Sequence, residues 1–162
     1  MINNGKRFED NIRKSVPEDY FYYRLRDNQN NWNRGTGIRF AITNMCDCIV
    51  FNGEYLLLME LKNTKGKSLP FDRIRKNQLE ELLLQEYKLN CKPCLLINFE
   101  ELEECYYMPI QLIDELIRKN ERKSISIEEC RLFGLRVESK KLRTNSKYNI
   151  KKLFEDIKEL GW

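Results

Sequence analysis

The spacing of apolar positions along the chain changes several times, and each change predicts an element. Phe8 and Ile12, four apart within residues 4–15, predict a first helix that Pro17 ends. The aromatic run "YFYYRLR" (20–26) predicts a strand. Residues 27–45, "DNQNNWNRGTGIRFAITNM", then lose the pattern. This segment is rich in Asn and Gly and too long for a plain turn, and it reads as a flexible loop inserted between the first two strands. "CDCIVFNGEYLLLMELK" (46–62) follows as two apolar strands meeting at Asn52-Gly53, the pair that favours a two-residue type I′ turn. A helix is predicted over about 72–89, with Asp72 as N-cap and Ile74, Leu79, Leu82 and Leu83 as its apolar stripe. Strands are predicted at 93–99 and 104–110, helices at 110–119 and roughly 148–160, and a short element near 127–133. That order predicts an α/β fold, a mixed central sheet flanked by helices, in one domain over 1–162.

The hairpin contains three residues that its apolar surroundings do not account for. Asp47 stands among Cys, Ile and Val, and Glu60 and Lys62 close the second strand. Burying charge is costly unless it is paired or bound to a metal. With a two-residue turn, Phe51 pairs with Glu54 and Asp47 faces Leu58. The period of 2 then puts Asp47, Leu58, Glu60 and Lys62 on one face. Two carboxylates so placed, with a backbone carbonyl and water, make a hard-oxygen set suited to Mg²⁺, with an ammonium beside it. The alternative is an ion-pair cluster at the end of a sheet.

Composition narrows the chemistry further. The chain has 162 residues, 41% hydrophobic and 33% charged, enough for a soluble domain with a core. No apolar run approaches a membrane span, and "MINNGKRFEDN" has no signal-peptide stretch, so a cytoplasmic location and no membrane partner are expected. There is no histidine, which excludes Ser-His and Cys-His triads and leaves carboxylates and lysines to act. Six cysteines include a CxC at 46–48 and a CxxC at 91–94. Because "NCKPCLLINF" runs straight into a strand, reduced, buried thiols are expected rather than a zinc knuckle. The net charge of +4 is mild, but "KGKSLPFDRIRK" (65–76) and "RVESKKLRTNSKYNIKK" (136–152) concentrate bases, as a polyanion-facing surface would, the alternative being ordinary solvated faces.

Asp47, a hairpin and "ELK" at 60–62 resemble the PD-(D/E)xK nuclease motif, with Cys46 where the motif's proline would stand. "GKRFEDNI" (5–12), the 46–71 segment, "NQLEEL" (77–82), "CLLINFEELEECYYMPIQLI" (94–113) and "RKSIS" (122–126) occur in the order of RecU-type Holliday junction resolvases. They are most similar to the shorter forms of phages and Gram-positive genomes. The resemblance implies a restriction-endonuclease-like core and a homodimeric, Mg²⁺-dependent endonuclease, with Mn²⁺ able to substitute, that cuts four-way DNA junctions. It implies Asp47 and Glu60 as metal ligands, Leu61 lending its carbonyl, Lys62 as catalytic lysine, Glu9 near the metal through water, and Gln78 in support. The larger relatives carry a stalk between the first two strands, and residues 27–45 are short and dissimilar to it. DNA contacts are expected from Arg24 and Arg26, from Trp32, Arg34 and Arg39 in the loop, and from Lys65, Lys67, Arg73, Arg75 and Lys76. The alternatives are a restriction- or repair-type endonuclease acting on other DNA, and a catalytically inert nucleic-acid-binding protein.

Overall fold

The computed structural model describes residues 4–25, 44–119 and 122–162. The expectations for Arg26, Trp32, Arg34 and Arg39, and for most of the 27–45 loop, lie outside the described residues. Six strands form the central sheet: β1 (Phe21–Arg24), β2 (Cys48–Phe51), β3 (Leu56–Thr64), β5 (Cys91–Phe99), β6 (Glu104–Pro109) and β8 (Leu135–Arg136), side by side in that order. β3 and β5 run parallel and the other neighbours antiparallel, so the sheet is mixed as expected. β4 (Ser68–Pro70) pairs with β7 (Ser124–Ser126), and β9 (Ser139–Lys141) with β10 (Ser146–Tyr148), as two small ribbons.

β3 and β5 read as nearly unbroken apolar runs because helices cover both faces at the sheet centre. On one face α1 (Asn4–Ser15) and α5 (Ile150–Leu160) bring Phe8, Ile12, Leu153 and Ile157 onto Val50, Leu57, Met59 and Leu96. On the other, α2 (Lys76–Gln85), α3 (Ile110–Lys119) and α4 (Ile127–Phe133) bring Leu79, Leu82, Ile113 and Cys130 onto Leu58, Leu95 and Ile97. Pro93 is tolerated in β5 because the pairing with β6 starts only at Cys94. All six cysteines are buried and free, and burial pushes their thiols up.

Two local expectations are corrected. Asn52 Oδ1 accepts from the amides of both Glu54 (2.9 Å) and Tyr55 (2.7 Å), with Gly53 at φ +96°. That side chain takes the N–H groups a two-residue turn would leave for the strands and opens the connection to Asn52–Tyr55. Phe51 therefore pairs with Leu56, and the whole register moves by two residues. Asp72 does not cap α2. It sits in a single 3₁₀ turn, Phe71–Arg73, after which Ile74 is extended (φ −101°, ψ 108°) and Arg75 occupies the N-cap.

Candidate active site

The shifted register places the acidic residues closer together than the two-residue turn did. Cys48 pairs with Met59 as the last pair of the ladder, and Asp47, one residue beyond, lies near enough to Glu60 for their charges to interact. The parity is unchanged, so Asp47, Glu60 and Lys62 still share the face that α2 covers.

The β2–β3 ladder ends at this point, and the Asp47 side chain replaces its next bond. The Asp47 amide donates to the Met59 carbonyl (3.1 Å), while Asp47 Oδ2 accepts from the Leu61 amide at 2.7 Å. The Asp47 carbonyl in turn accepts from the Leu25 amide (3.0 Å). Asp47 is thus fixed through main chain and side chain at once. A strand residue's N–H and C=O point toward the same neighbouring strand, so the Leu61 carbonyl projects to the Asp47 edge of β3.

Glu60 is 4% exposed. Its Oε1 accepts from Lys62 Nζ at 2.7 Å, and its Oε2 from Gln78 Nε2 at 3.2 Å. Gln78, 6% exposed on α2, also donates to the Asn44 carbonyl (3.1 Å), tying the segment before Asp47 to the helix. Gln78 Oε1 is buried and has no hydrogen-bond partner among the described residues. Burial pushes the Glu60 carboxyl up to about 7. The charge of Asp47 acts in the same direction, and Lys62 and Arg75 oppose it. Lys62 offsets the repulsion between the two carboxylates only in part, since the Glu60 carboxyl stays raised with the ammonium in place, and a further cation would lower it.

Three of the expected metal and catalytic side chains and Gln78 are brought together. On α1, Glu9 Oε2 accepts from Arg24 at 2.5 Å. Among the described residues no group of three Cys, Asp or Glu side chains forms a metal cage. Arg24 is engaged by that pair. Lys65 and Lys67 are exposed in the turn joining β3 to β4. Arg73 donates to the Asn63 carbonyl (2.9 Å), Arg75 is exposed at the α2 N-cap, and Lys76 lies 3.6 Å from Glu80.

The sequence reading missed a second polar cluster just past the site. Asn63, next to Lys62, accepts from Asn98 Nδ2 (2.6 Å) and donates to Glu100 (3.0 Å), and Asn98 Oδ1 accepts from the Tyr148 hydroxyl (3.2 Å). The available signal was an Asn inside the apolar run "CLLINF", since a polar side chain in a central strand needs a partner.

Among the described residues no helix is long and apolar enough to cross a membrane. The chain is similar to the SPbeta prophage-derived uncharacterized protein YotM of Bacillus subtilis (strain 168). The two are 33% identical over 173 residues, spanning 96% of this chain and 87% of that one. Its fold is similar to that of Archaeoglobus fulgidus Hjc, a Holliday junction resolvase from an archaeal hyperthermophile. That match has a TM-score of 0.53 at 18% identity, covering 81% of this chain and 94% of Hjc. The family pattern described as "Recombination protein U" matches residues 27–151, and the chain belongs to this RecU family.

Proposed function

We propose that this chain is a divalent-metal-dependent DNA endonuclease that resolves four-way (Holliday) junctions as a homodimer in recombination and repair. The observation that carries the reading is the convergence of Asp47, Glu60 and Lys62 at the end of the β2–β3 ladder, braced by Gln78. Membership of the RecU family and the fold shared with Hjc support it.

The residues present fit a hard cation. The donors are carboxylate and carbonyl oxygens, the buried Gln78 Oε1 is unpartnered, and Glu60 is held near neutrality by burial beside Asp47. Asp47, Glu60 and the Leu61 carbonyl would hold Mg²⁺, or Mn²⁺ in its place, with Glu9 reaching it through water. Such an ion, when bound, supplies an acidified water and charge stabilisation at the scissile phosphate.

The chain's own groups do the rest. The Leu61 amide holds one Asp47 oxygen and so sets the orientation of that carboxylate. Gln78 sets the rotation of the Glu60 carboxylate. Lys62, half-buried, brings a positive charge to where the phosphodiester acquires negative charge during displacement. Lys65, Lys67, Arg73, Arg75 and Lys76 lie between the end of the catalytic strand and the first turn of α2, so they would grip the backbone on either side of the cut. Arg24, Arg26 and the loop residues Trp32, Arg34 and Arg39 would meet the branch point.

The test uses labelled four-way junction, duplex and flap DNA, incubated with Mg²⁺ or EDTA, with every cut mapped. Paired, metal-dependent cuts across the junction are expected, together with little cleavage of duplex. Equal cleavage of duplex would move the assignment to a restriction- or repair-type nuclease, and junction binding without cleavage to an inert binding protein.

A further inference from the structure

On the sheet face opposite the carboxylates, a cavity of about 830 Å³ lies between α1, the ends of β3 and β5, and the β9–β10 ribbon. Its volume falls in the range of small-ligand sites, about 300–1,000 Å³. Its interior is amide-rich. The chain of hydrogen bonds from Tyr148 through Asn98 and Asn63 to Glu100 ends at Asn4 (3.0 Å) and Arg7 (2.5 Å), so these side chains are held in fixed orientations. Asn11 is 6% exposed and lines the same space, and its Oδ1 has no hydrogen-bond partner among the described residues. Phe8 lies edge-on to Tyr148, with ring centroids 5.5 Å apart, and adds an aromatic wall.

The charges sit differently. Arg7 is paired with Glu100, Lys141 with Glu103, and Asp10 with Arg13 and Lys14. Lys6 on α1 and Arg143 at the ribbon tip also line the cavity, and neither is in an ion pair among the described residues. A neutral interior of anchored donors and acceptors with two uncommitted cations suits a ligand having an uncharged hydrogen-bonding edge and a phosphate. Asn63 directly follows Lys62, and their side chains point to opposite faces of β3. The cavity therefore backs onto the strand that carries the catalytic lysine.

We propose that this cavity is a nucleotide subsite, taking an unpaired base against the Asn11, Asn63 and Asn98 amides with its phosphate at Lys6 and Arg143. The inference rests on the DNA-cleaving reading insofar as the nucleotide is one of the strand being cut, a near neighbour of the scissile phosphate. It explains why the ribbon concentrates basic residues away from the carboxylate face.

The test measures affinity in EDTA, where cleavage cannot intervene. Four-way junctions carry an abasic site at each nucleotide flanking the cut in turn. For the wild-type protein, one position is expected to lower affinity about tenfold, the scale of one stacked and hydrogen-bonded base. Ser139→Trp, on an exposed position lining the cavity mouth, should bind intact and abasic junctions equally, as should Lys6→Ala combined with Arg143→Ala. In parallel, free dAMP is titrated while the Phe8 and Tyr148 ring resonances are followed. Ring shifts with dAMP alone assign the cavity to a free nucleotide, and shifts only with DNA assign it to the substrate strand; both support the subsite. Junction binding that no abasic position weakens, with no ring shift from either probe, overturns it. Absence of junction binding with dAMP shifts intact would overturn the nuclease reading and leave the subsite standing.

Discussion

Glu60 offers a quantitative test of the metal site that needs no cleavage assay. Its carboxyl is held at about 7 in the fold, against an ordinary value near 4.5. Between those two pH values the folded chain keeps a proton on Glu60 that the unfolded chain has already lost. The stability of the metal-free protein should therefore fall as pH rises from about 4.5 to about 7, then level off. A displacement of that size corresponds to about 3 kcal/mol, and for a chain of this length to a melting shift of roughly 6–12 °C. Glu60→Gln removes the titration, so the difference between wild type and variant isolates this residue from the other carboxylates. Glu104, for example, is held down to about 2 by Arg131 and changes stability in the opposite sense at lower pH. The assay is urea or thermal unfolding of both proteins in EDTA from pH 4 to 8. Mg²⁺ added at pH 8 should then restore wild-type stability, by about 3 kcal/mol at a hundredfold excess over its dissociation constant, and leave Glu60→Gln nearly unmoved. Parallel pH profiles for the two proteins, or equal Mg²⁺ responses, would refute the argument that burial beside Asp47 makes this site require a cation.

Asp47→Asn should abolish cleavage of four-way junctions while gel-shift binding survives, because it removes a ligand charge and no basic surface. Lys62→Ala should slow single-turnover cleavage by roughly 10²–10³-fold with metal binding retained, the cost of removing one charge-stabilising group. Replacing Lys65 and Lys67 together by Ala should weaken binding to every DNA shape and reduce the slope of log affinity against log salt by about 2; an unchanged slope would place the backbone elsewhere. Trp32→Ala with Arg34→Ala should lower the ratio of junction to duplex affinity with the metal site still competent, and a retained ratio would reduce the loop to a connector. Metal analysis of the purified protein should find no stoichiometric zinc, in keeping with six buried thiols spread over both cores.

The parts of this fold that sequence exposes are those governed by period. The alternation in "LLLMELK" puts Leu57, Met59 and Leu61 in one core and Leu58, Glu60 and Lys62 toward the other. The spacing of Phe8 and Ile12 likewise fixes the buried stripe of α1. The hairpin register was less legible because it depends on where one side chain bonds. Asn52 could close a two-residue turn or, as it does, bind the amides of Glu54 and Tyr55. Both choices keep Asp47 and Glu60 on one face, so the shared face of the two candidate carboxylates was readable while their separation was not. The start of α2 was displaced by a long-range effect. Leu69 pairs with Ile125 in the small β4–β7 ribbon, and the chain leaves that ribbon through a 3₁₀ turn before the helix can begin. Nothing local to Asp72 signals a partner more than 50 residues away.

The same geometry explains why a charged cluster is sustained inside an apolar strand pair. Had the β2–β3 ladder continued, the Leu61 amide would bond a backbone carbonyl and β2 would close the edge of β3 where Glu60 and Lys62 lie. Instead the Asp47 amide takes the Met59 carbonyl and the Asp47 carboxylate takes the Leu61 amide. The ladder therefore ends without leaving a buried donor unpaired, and that substitution opens the strand edge to which the Leu61 carbonyl projects. Asp47 is thus a structural terminator of the hairpin as well as a candidate ligand. Asn, which keeps a side-chain oxygen for the Leu61 amide, is consequently the replacement that separates the two roles. Alanine would remove both, confounding lost chemistry with a frayed strand.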